Sequence, residues 1–189
     1  AGALVRGLGS ENIDARLRSA DFSNLGAAGT ARWLGRSLAS LSTVQRVLVV
    51  GSNLRKDQPL MAQRLRQAVR QGAQLSALVA QPIDWAMRVQ QTLVAPASQW
   101  VMALAGVAAA VAEAQGVAAP VSATPTDTDR AIAQSLMGGE DKAILLGNAA
   151  AHHEKASSLL ALAQLIGERT GASVGYLGEA ANSVGAQLV

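Results

Sequence analysis

Arg46-Val-Leu-Val-Val-Gly-Ser-Asn53 has a shorter echo near the far end of the chain, Lys142-Ala-Ile-Leu-Leu-Gly-Asn148. Each stretch is a run of mostly branched apolar residues that stops at a glycine, Gly51 or Gly147, and passes into a helical pattern. Each helical pattern closes on a Gly-Ala pair, Gly72-Ala73 or Gly171-Ala172, and a second apolar run follows. An unbroken apolar run of this length suits a strand covered on both faces, as in a parallel sheet. Strand, glycine turn, helix and strand, written twice, predict two βαβ units of an open α/β sheet, mainly parallel and Rossmann-like, with helices on both faces. Ligands of such sheets sit outside the carboxyl ends of the strands, which directs attention to Gly51–Asn53 and Gly147–Ala149.

The 189 residues suffice for one good core. We read 1–189 as a single α/β unit: a leading helical and irregular segment over 1–42, a first βαβ unit over 43–94, connecting helices and a loop over 95–137, and a second βαβ unit over 138–189. Half of the residues are hydrophobic but only 3% are aromatic, so Ala, Leu and Val must build the core. A formal charge of +3 is too small an excess to predict nucleic acid, which calls for Lys and Arg gathered on one face with aromatic partners. The absence of cysteine excludes disulfides, thiolate metal sites and iron–sulfur clusters from this segment. The longest apolar run, Trp100 to Ala112, falls short of the roughly 18–20 residues of a membrane-spanning helix and predicts a buried helix instead. The chain starts at Ala1 without a signal-peptide pattern, and both ends read as interrupted patterns, so the expectation is a piece of something larger.

Around the two units, residues 1–9 read as a helix end closed by Gly7 or Gly9, and Ser10 to Asn24 as a polar connection. Ala31–Leu41 reads as a helix with Trp33, Leu34 and Leu38 on one face. Asp57 is the expected N-cap of a helix that Pro59 opens, because a proline lacks only an N–H that has no partner there. Its apolar face is Leu60, Met61, Leu65, Ala68 and Val69, and Arg64, Arg66 and Arg70 belong to a solvated side. A strand Leu75–Val79 leads through a helical turn over Ile83–Arg88 to a short strand, Gln91–Val94. Ser98 is the expected N-cap of a helix to Ala114, and Gly116–Thr126, with Pro120 and Pro125, is a surface loop. A helix Asp127–Leu136 stopped by Gly138-Gly139, a strand Ala143–Leu146, a helix from about His152 to Arg169 and a strand Ser173–Leu177 complete the series.

No constellation of catalytic residues emerges. In Gly-x-Gly-x-x-Gly the second glycine lets the backbone approach a pyrophosphate; here that position is Asn53. No Gly-Lys-Ser/Thr of a phosphate-binding loop occurs. His152-His153-Glu154 fails as a helical zinc motif, since the place of the second histidine in His-Glu-x-x-His is Ser157. Adjacent helical histidines also point about 100° apart, and the chain has no other histidine. Asp14, Asp21, Asp84, Asp127, Asp129, Glu140 and Asp141 fall in loops or at element ends, with no pair spaced for acid–base work. Asp127 and Asp129 open a helix, where the amino-terminal dipole favours carboxylates. Catalytic, cofactor-binding and metal-ligating residues are all read as none.

The run Arg46-Val-Leu-Val-Val-Gly-Ser-Asn-Leu-Arg-Lys-Asp-Gln-Pro-Leu60, with Ala73–Val79 after it, resembles the molybdopterin oxidoreductase superfamily. More narrowly it is similar to the large iron–sulfur subunit of bacterial NADH:quinone oxidoreductase, respiratory complex I. Leu4–Arg18 with its Gly-Ser-Glu-Asn-Ile-Asp-Ala-Arg, Ala143–Asn148, and Gly175–Val189 with Asn182-Ser-Val-Gly-Ala186 resemble that large subunit too. The resemblance implies a molybdopterin-enzyme-like domain downstream of the cluster-binding part, with iron–sulfur clusters elsewhere in the parent subunit and no cofactor in this segment. It implies a structural role in electron transfer from NADH to quinone. The implied partners are other peripheral-arm subunits and the rest of the parent subunit, with no nucleic acid and no direct membrane span, on the cytoplasmic side of the bacterial inner membrane. In molybdenum enzymes of the superfamily, the loop corresponding to Gly51–Asn53 helps hold a pterin dinucleotide, and Asp-Pro-Arg usually follows the second strand. Here that place reads Val79-Ala80-Gln81-Pro82, without the acid and the arginine. The alternatives are a fragment of a true molybdopterin-dependent oxidoreductase, with Gly51–Asn53 and Gly147–Asn148 as cofactor loops, and a free-standing nucleotide-binding module.

Overall fold

The structure, a computed structural model, describes residues 2–12, 20–21, 23, 31–119 and 121–187. Five strands, β1 (Arg46–Val50), β2 (Gln74–Val79), β3 (Gln91–Val94), β4 (Lys142–Leu146) and β5 (Ser173–Tyr176), form one parallel sheet in the order β3-β2-β1-β4-β5. The fold is therefore α/β, as the paired apolar runs predict. In β1 the side chains alternate between two cores. Val47 and Val49 join one buried cluster, Leu48 and Val50 the other, which is why the run contains no polar residue after Arg46. The edge strand β3 lacks that double cover and alternates between half-buried and exposed residues.

On one face lie α4 (Trp100–Ala114), α5 (Asp127–Met137) and α7 (Ala156–Thr170), packed through Leu104, Val107, Ile132, Leu136, Leu159 and Ile166. On the other lie α2 (Leu54–Asp57), α3 (Pro59–Arg70) and a 3-10 helix, Leu38–Ser42. Leu54, Leu65, Ala68 and Leu41 there meet Val49, Ala77 and Leu145 of the sheet. Two short helices, α1 (Gly2–Gly7) and α8 (Ser183–Gln187), lie near the ends, and α6 (Asn148–Ala151) follows β4. The stretch Ala97–Ala114 is apolar and long enough to span a membrane by composition, and 56% of it is buried inside the molecule. Its apolarity is accounted for by α4 serving as the central helix of the larger core.

Several local expectations need correction. Of the helix expected over Ala31–Leu41, only the end is helical, within the 3-10 turn Leu38–Ser42, and residues 31–37 are not. Tyr176 donates its backbone N–H to the Trp33 carbonyl at 2.7 Å, so residues 31–34 lie along the outer edge of β5. Gly35 then turns with φ +75, and Gly175 is needed because any Cβ there would strike the Leu34 carbonyl. Trp33 stays 54% exposed, and Arg36 pins the segment with two 2.7 Å bonds to the Asp141 carboxylate. Ile83–Arg88 is also not helical: Asp84 accepts from the Ala86 N–H at 3.1 Å, Ala86 takes φ 51, and Trp85 is buried. Asp57 ends α2 rather than capping α3, which Gln58 precedes, although Pro59 does open α3. Leu60 is exposed, and Ala62 takes its place on the buried face. Ser98 lies within a 3-10 turn, Ala97–Gln99, ahead of α4. The helix expected from about His152 to Arg169 starts only at Ala156, as α7, and both histidines lie between it and the separate short α6. The expected stop of α5 is met at Gly138, and Gly72 and Gly171 close α3 and α7 with positive φ.

Candidate functional site

From β1 the chain steps outward through β2 and β3; from β4 it steps the other way to β5. The strand order thus reverses between β1 and β4, and a crevice at their carboxyl ends is where such sheets take ligands. Both glycine turns singled out in the sequence meet there. Gly147 donates its N–H to the Val50 carbonyl at 2.8 Å, and Ala149 donates to the Gly51 carbonyl at 3.1 Å. Gly51 has φ +67, and a Cβ on it would lie 2.7 Å from both the Ala150 nitrogen and the Trp100 ring. A Cβ on Gly147 would strike Ser52 Cβ. These glycines let the two turns pack on each other.

The residues after Gly51 turn back on the chain itself. The Asp57 carboxylate accepts from the Ser52 hydroxyl at 3.0 Å and from the Asn53 N–H at 2.8 Å. Arg55 pairs with Asp84 beyond β2, and the Gln58 side-chain amide donates to the Gly178 carbonyl beyond β5. Residues 52–58 therefore form a strap along the carboxyl edge of the sheet. The Ala86 N–H, followed by the Arg55 charge, holds the Asp84 carboxyl below its ordinary range.

The second turn is equally self-contained. His153 stacks on Trp100, ring centres 5.9 Å apart, with one ring nitrogen 2.8 Å from the Ala97 carbonyl. Its Nδ1 accepts the Lys155 N–H at 2.9 Å. His152 instead reaches Glu179 at 2.8 Å. The two histidines thus diverge, each held by its own partner rather than by helical spacing. Asp21 accepts from the Ser157 N–H at 2.8 Å and from the Ser157 hydroxyl, at the first turn of α7. The Ser157 hydroxyl, followed by the Ser23 backbone N–H, pulls the Asp21 carboxyl far below the usual carboxylate range. Arg32 donates to the Ala151 carbonyl at 2.8 Å and lies 5.5 Å over the Tyr176 ring. Burial raises the Tyr176 phenol, against the opposing charge of Arg32.

The remaining acidic candidates lie apart from the crevice or outside the described residues. Asp129 completes a capping box with Thr126, Asp127 pairs with Arg130, and Asp141 holds Arg36. Glu140 follows Gly139 at the opposite end of the sheet, and Asp14 is not among the described residues. Among the described residues no group of three or more His, Cys, Asp or Glu is placed to hold a metal ion. Arg66 and Arg70 are exposed, and Arg64 bonds the Ser42 hydroxyl. A surface cleft of about 480 Å³ lies at the amino-terminal edge of the sheet, lined by Thr43, Gln45, Arg46 and Gln71. It is remote from the carboxyl ends. The roles of Asp57, Gln58 and the Asp21–Ser157 contact at the crevice are not evident from the sequence. Asp57 stands four residues after Asn53, within reach of its N–H, whereas the Asp21 contact spans 136 residues and leaves no local signal.

A pterin dinucleotide would require open donors at the first turn. Ser52 Oγ and the Asn53 N–H are held by Asp57, whose carboxylate would repel a phosphate. Asn53 Oδ1 is buried without a partner, and as an acceptor it suits an N–H of a pterin or base rather than a phosphate oxygen. The donors at this turn do not fit the phosphates of the group.

Comparison with known proteins bears on the fold and the family. A search of curated proteins finds no match to this chain. Among solved structures, the chain resembles one from the formyltransferase/hydrolase complex FhcABCD of Methylorubrum extorquens, determined with methylofuran, at TM-score 0.53 and 17% identity. The likeness covers 84% of this chain but only 44% of the other, and at that identity it speaks to the fold alone. The family model for molybdopterin oxidoreductase matches residues 1–187. With the doubled βαβ framework and its switch-point turns in place, this match shows that the chain belongs to the molybdopterin oxidoreductase family.

Proposed function

We propose that the chain is a scaffold segment of the large peripheral-arm subunit of a bacterial NADH:quinone oxidoreductase, without a redox centre of its own. The observation that carries this reading is the closed first turn: Asp57 holds Ser52 and Asn53 where the family's cofactor would need them. The missing Asp-Pro-Arg after β2 supports it, as does the resemblance of residues 46–60 and 143–148 to that large subunit. In this reading its work is packing. Helices α4, α5 and α7 bury one face of the sheet, and the outer surfaces dock the rest of the parent subunit and its neighbours on the cytoplasmic side of the inner membrane. Iron–sulfur clusters are carried elsewhere in the parent subunit. Affinity purification of a tagged parent protein from its native membranes tests this. The expected result is co-recovery of NADH-oxidising activity and cluster signals; recovery of a soluble molybdenum enzyme would overturn it. That outcome is the second reading, a fragment of a molybdopterin-dependent oxidoreductase, to which the family match applies equally.

A further inference from the structure

We propose that Asp57 and Asp21 are resident anions, whose carboxylates occupy donors that phosphates of a dinucleotide would use, at the turn after β1 and at the first turn of α7. The two acids reach their places by unrelated routes. Asp57 folds back onto the turn after β1, taking the Ser52 hydroxyl at 3.0 Å and the Asn53 N–H at 2.8 Å. Asp21 arrives from 136 residues away to take the Ser157 N–H at 2.8 Å, in the first turn of the 15-residue α7, beyond α6.

A first helical turn carries N–H groups without intrahelical partners and the positive end of the helix dipole, so an anion there is stabilised. A carboxylate of the same chain satisfies both demands. Being intramolecular, it occupies the donors without the loss of translational freedom that an external phosphate incurs. At the first turn Arg55 is paired with Asp84, so the exposed Lys56 is the nearest cation in sequence left to meet an anion there. The glycines that would bring backbone close to a ligand are packed instead against Ala150, Trp100 and Ser52. The disagreement between the family's cofactor and these residues thus has named agents. It deepens the scaffold reading by saying how the cofactor is excluded, yet it rests on geometry that holds whichever parent protein the segment serves.

The test is calorimetric titration of inorganic pyrophosphate, at low salt, into the full chain as wild type, D57A, D21A and the D21A/D57A double variant, with circular dichroism to confirm folding. The double variant is expected to bind pyrophosphate about tenfold or more tightly than wild type, the equivalent of one charge-assisted hydrogen bond, and adding Ser52→Ala is expected to reduce the gain. Equal binding by wild type and double variant overturns the proposal, as does a folded double variant without saturable binding. If the alanine pair does not fold, D57A and D21A are read singly, and a folded single variant that binds pyrophosphate no more tightly than wild type overturns the proposal. The scaffold reading fails by a different result, recovery of a molybdenum enzyme from native membranes.

Discussion

Gly51 meets two demands that can be separated by substitution. Its φ of +67 is one; the 2.7 Å approaches to Ala150 and the Trp100 ring are the other. Gly116 shares the φ of +67 but has nothing within 4 Å of where a side-chain carbon would stand. Gly116→Ala should therefore lose only about 1–2 kcal/mol for the left-handed conformation. Gly51→Ala should lose at least about 2 kcal/mol more, because the turn packing must also open. Urea denaturation reads both, and equal losses would contradict the close-packed crevice. Asp21 makes a pH-dependent contribution whose sign follows from its lowered pKa. Folding favours the carboxylate, so the contribution is complete above about pH 4 and fades as pH falls through the lower folded-state value. The stability gap between wild type and D21N should shrink as pH is lowered from about 4 to about 2. A gap that holds constant or widens would show that the Ser157 contact is not the source. At His153, the Ala97 carbonyl must accept a proton from Nε2 while Nδ1 receives the Lys155 N–H. Nitrogen NMR near neutral pH should report the Nε2–H tautomer; a proton on Nδ1 would refute the assigned pair of bonds.

Elements show which parts of the fold can be read locally. Helix α5 is legible from its own residues, since Thr126 and Asp129 are three apart and satisfy each other's backbone N–H groups. Thr126→Ala should cost about 1 kcal/mol in chemical denaturation, with no measurable cost if the box contributes nothing. The strands are legible because burial on both faces removes polar residues from the run, as in Val47 to Val50. The segment 31–41 is not. Trp33, Leu34 and Leu38 have helical spacing, yet the edge of β5 offers Trp33 a backbone partner 143 residues on, Tyr176, and Gly35 breaks the helix. Ile83–Arg88 misleads for a similar reason: Trp85 enters the core from a turn shaped by Asp84. At the site, the two glycine turns can be found from their repeat, and the missing Asp-Pro-Arg from the second strand. The resident carboxylates cannot, because Asp57 reads locally as a helix cap and Asp21 meets Ser157 only in three dimensions.

Across the whole molecule, one parallel sheet separates two apolar cores, and the carboxyl edge that would face a ligand is laced to itself. Residues 52–58 reach Asp84 on one side and Gly178 on the other, and the turn after β4 leans on the turn after β1. The family framework is kept, and the two glycine turns at its carboxyl edge make contacts with each other and with their own chain. The most direct measurement is the molybdenum content and oxidised-pterin fluorescence of the chain, purified from cells that synthesise the cofactor. Both signals should stay far below one equivalent per chain; stoichiometric molybdenum with released pterin would contradict the account.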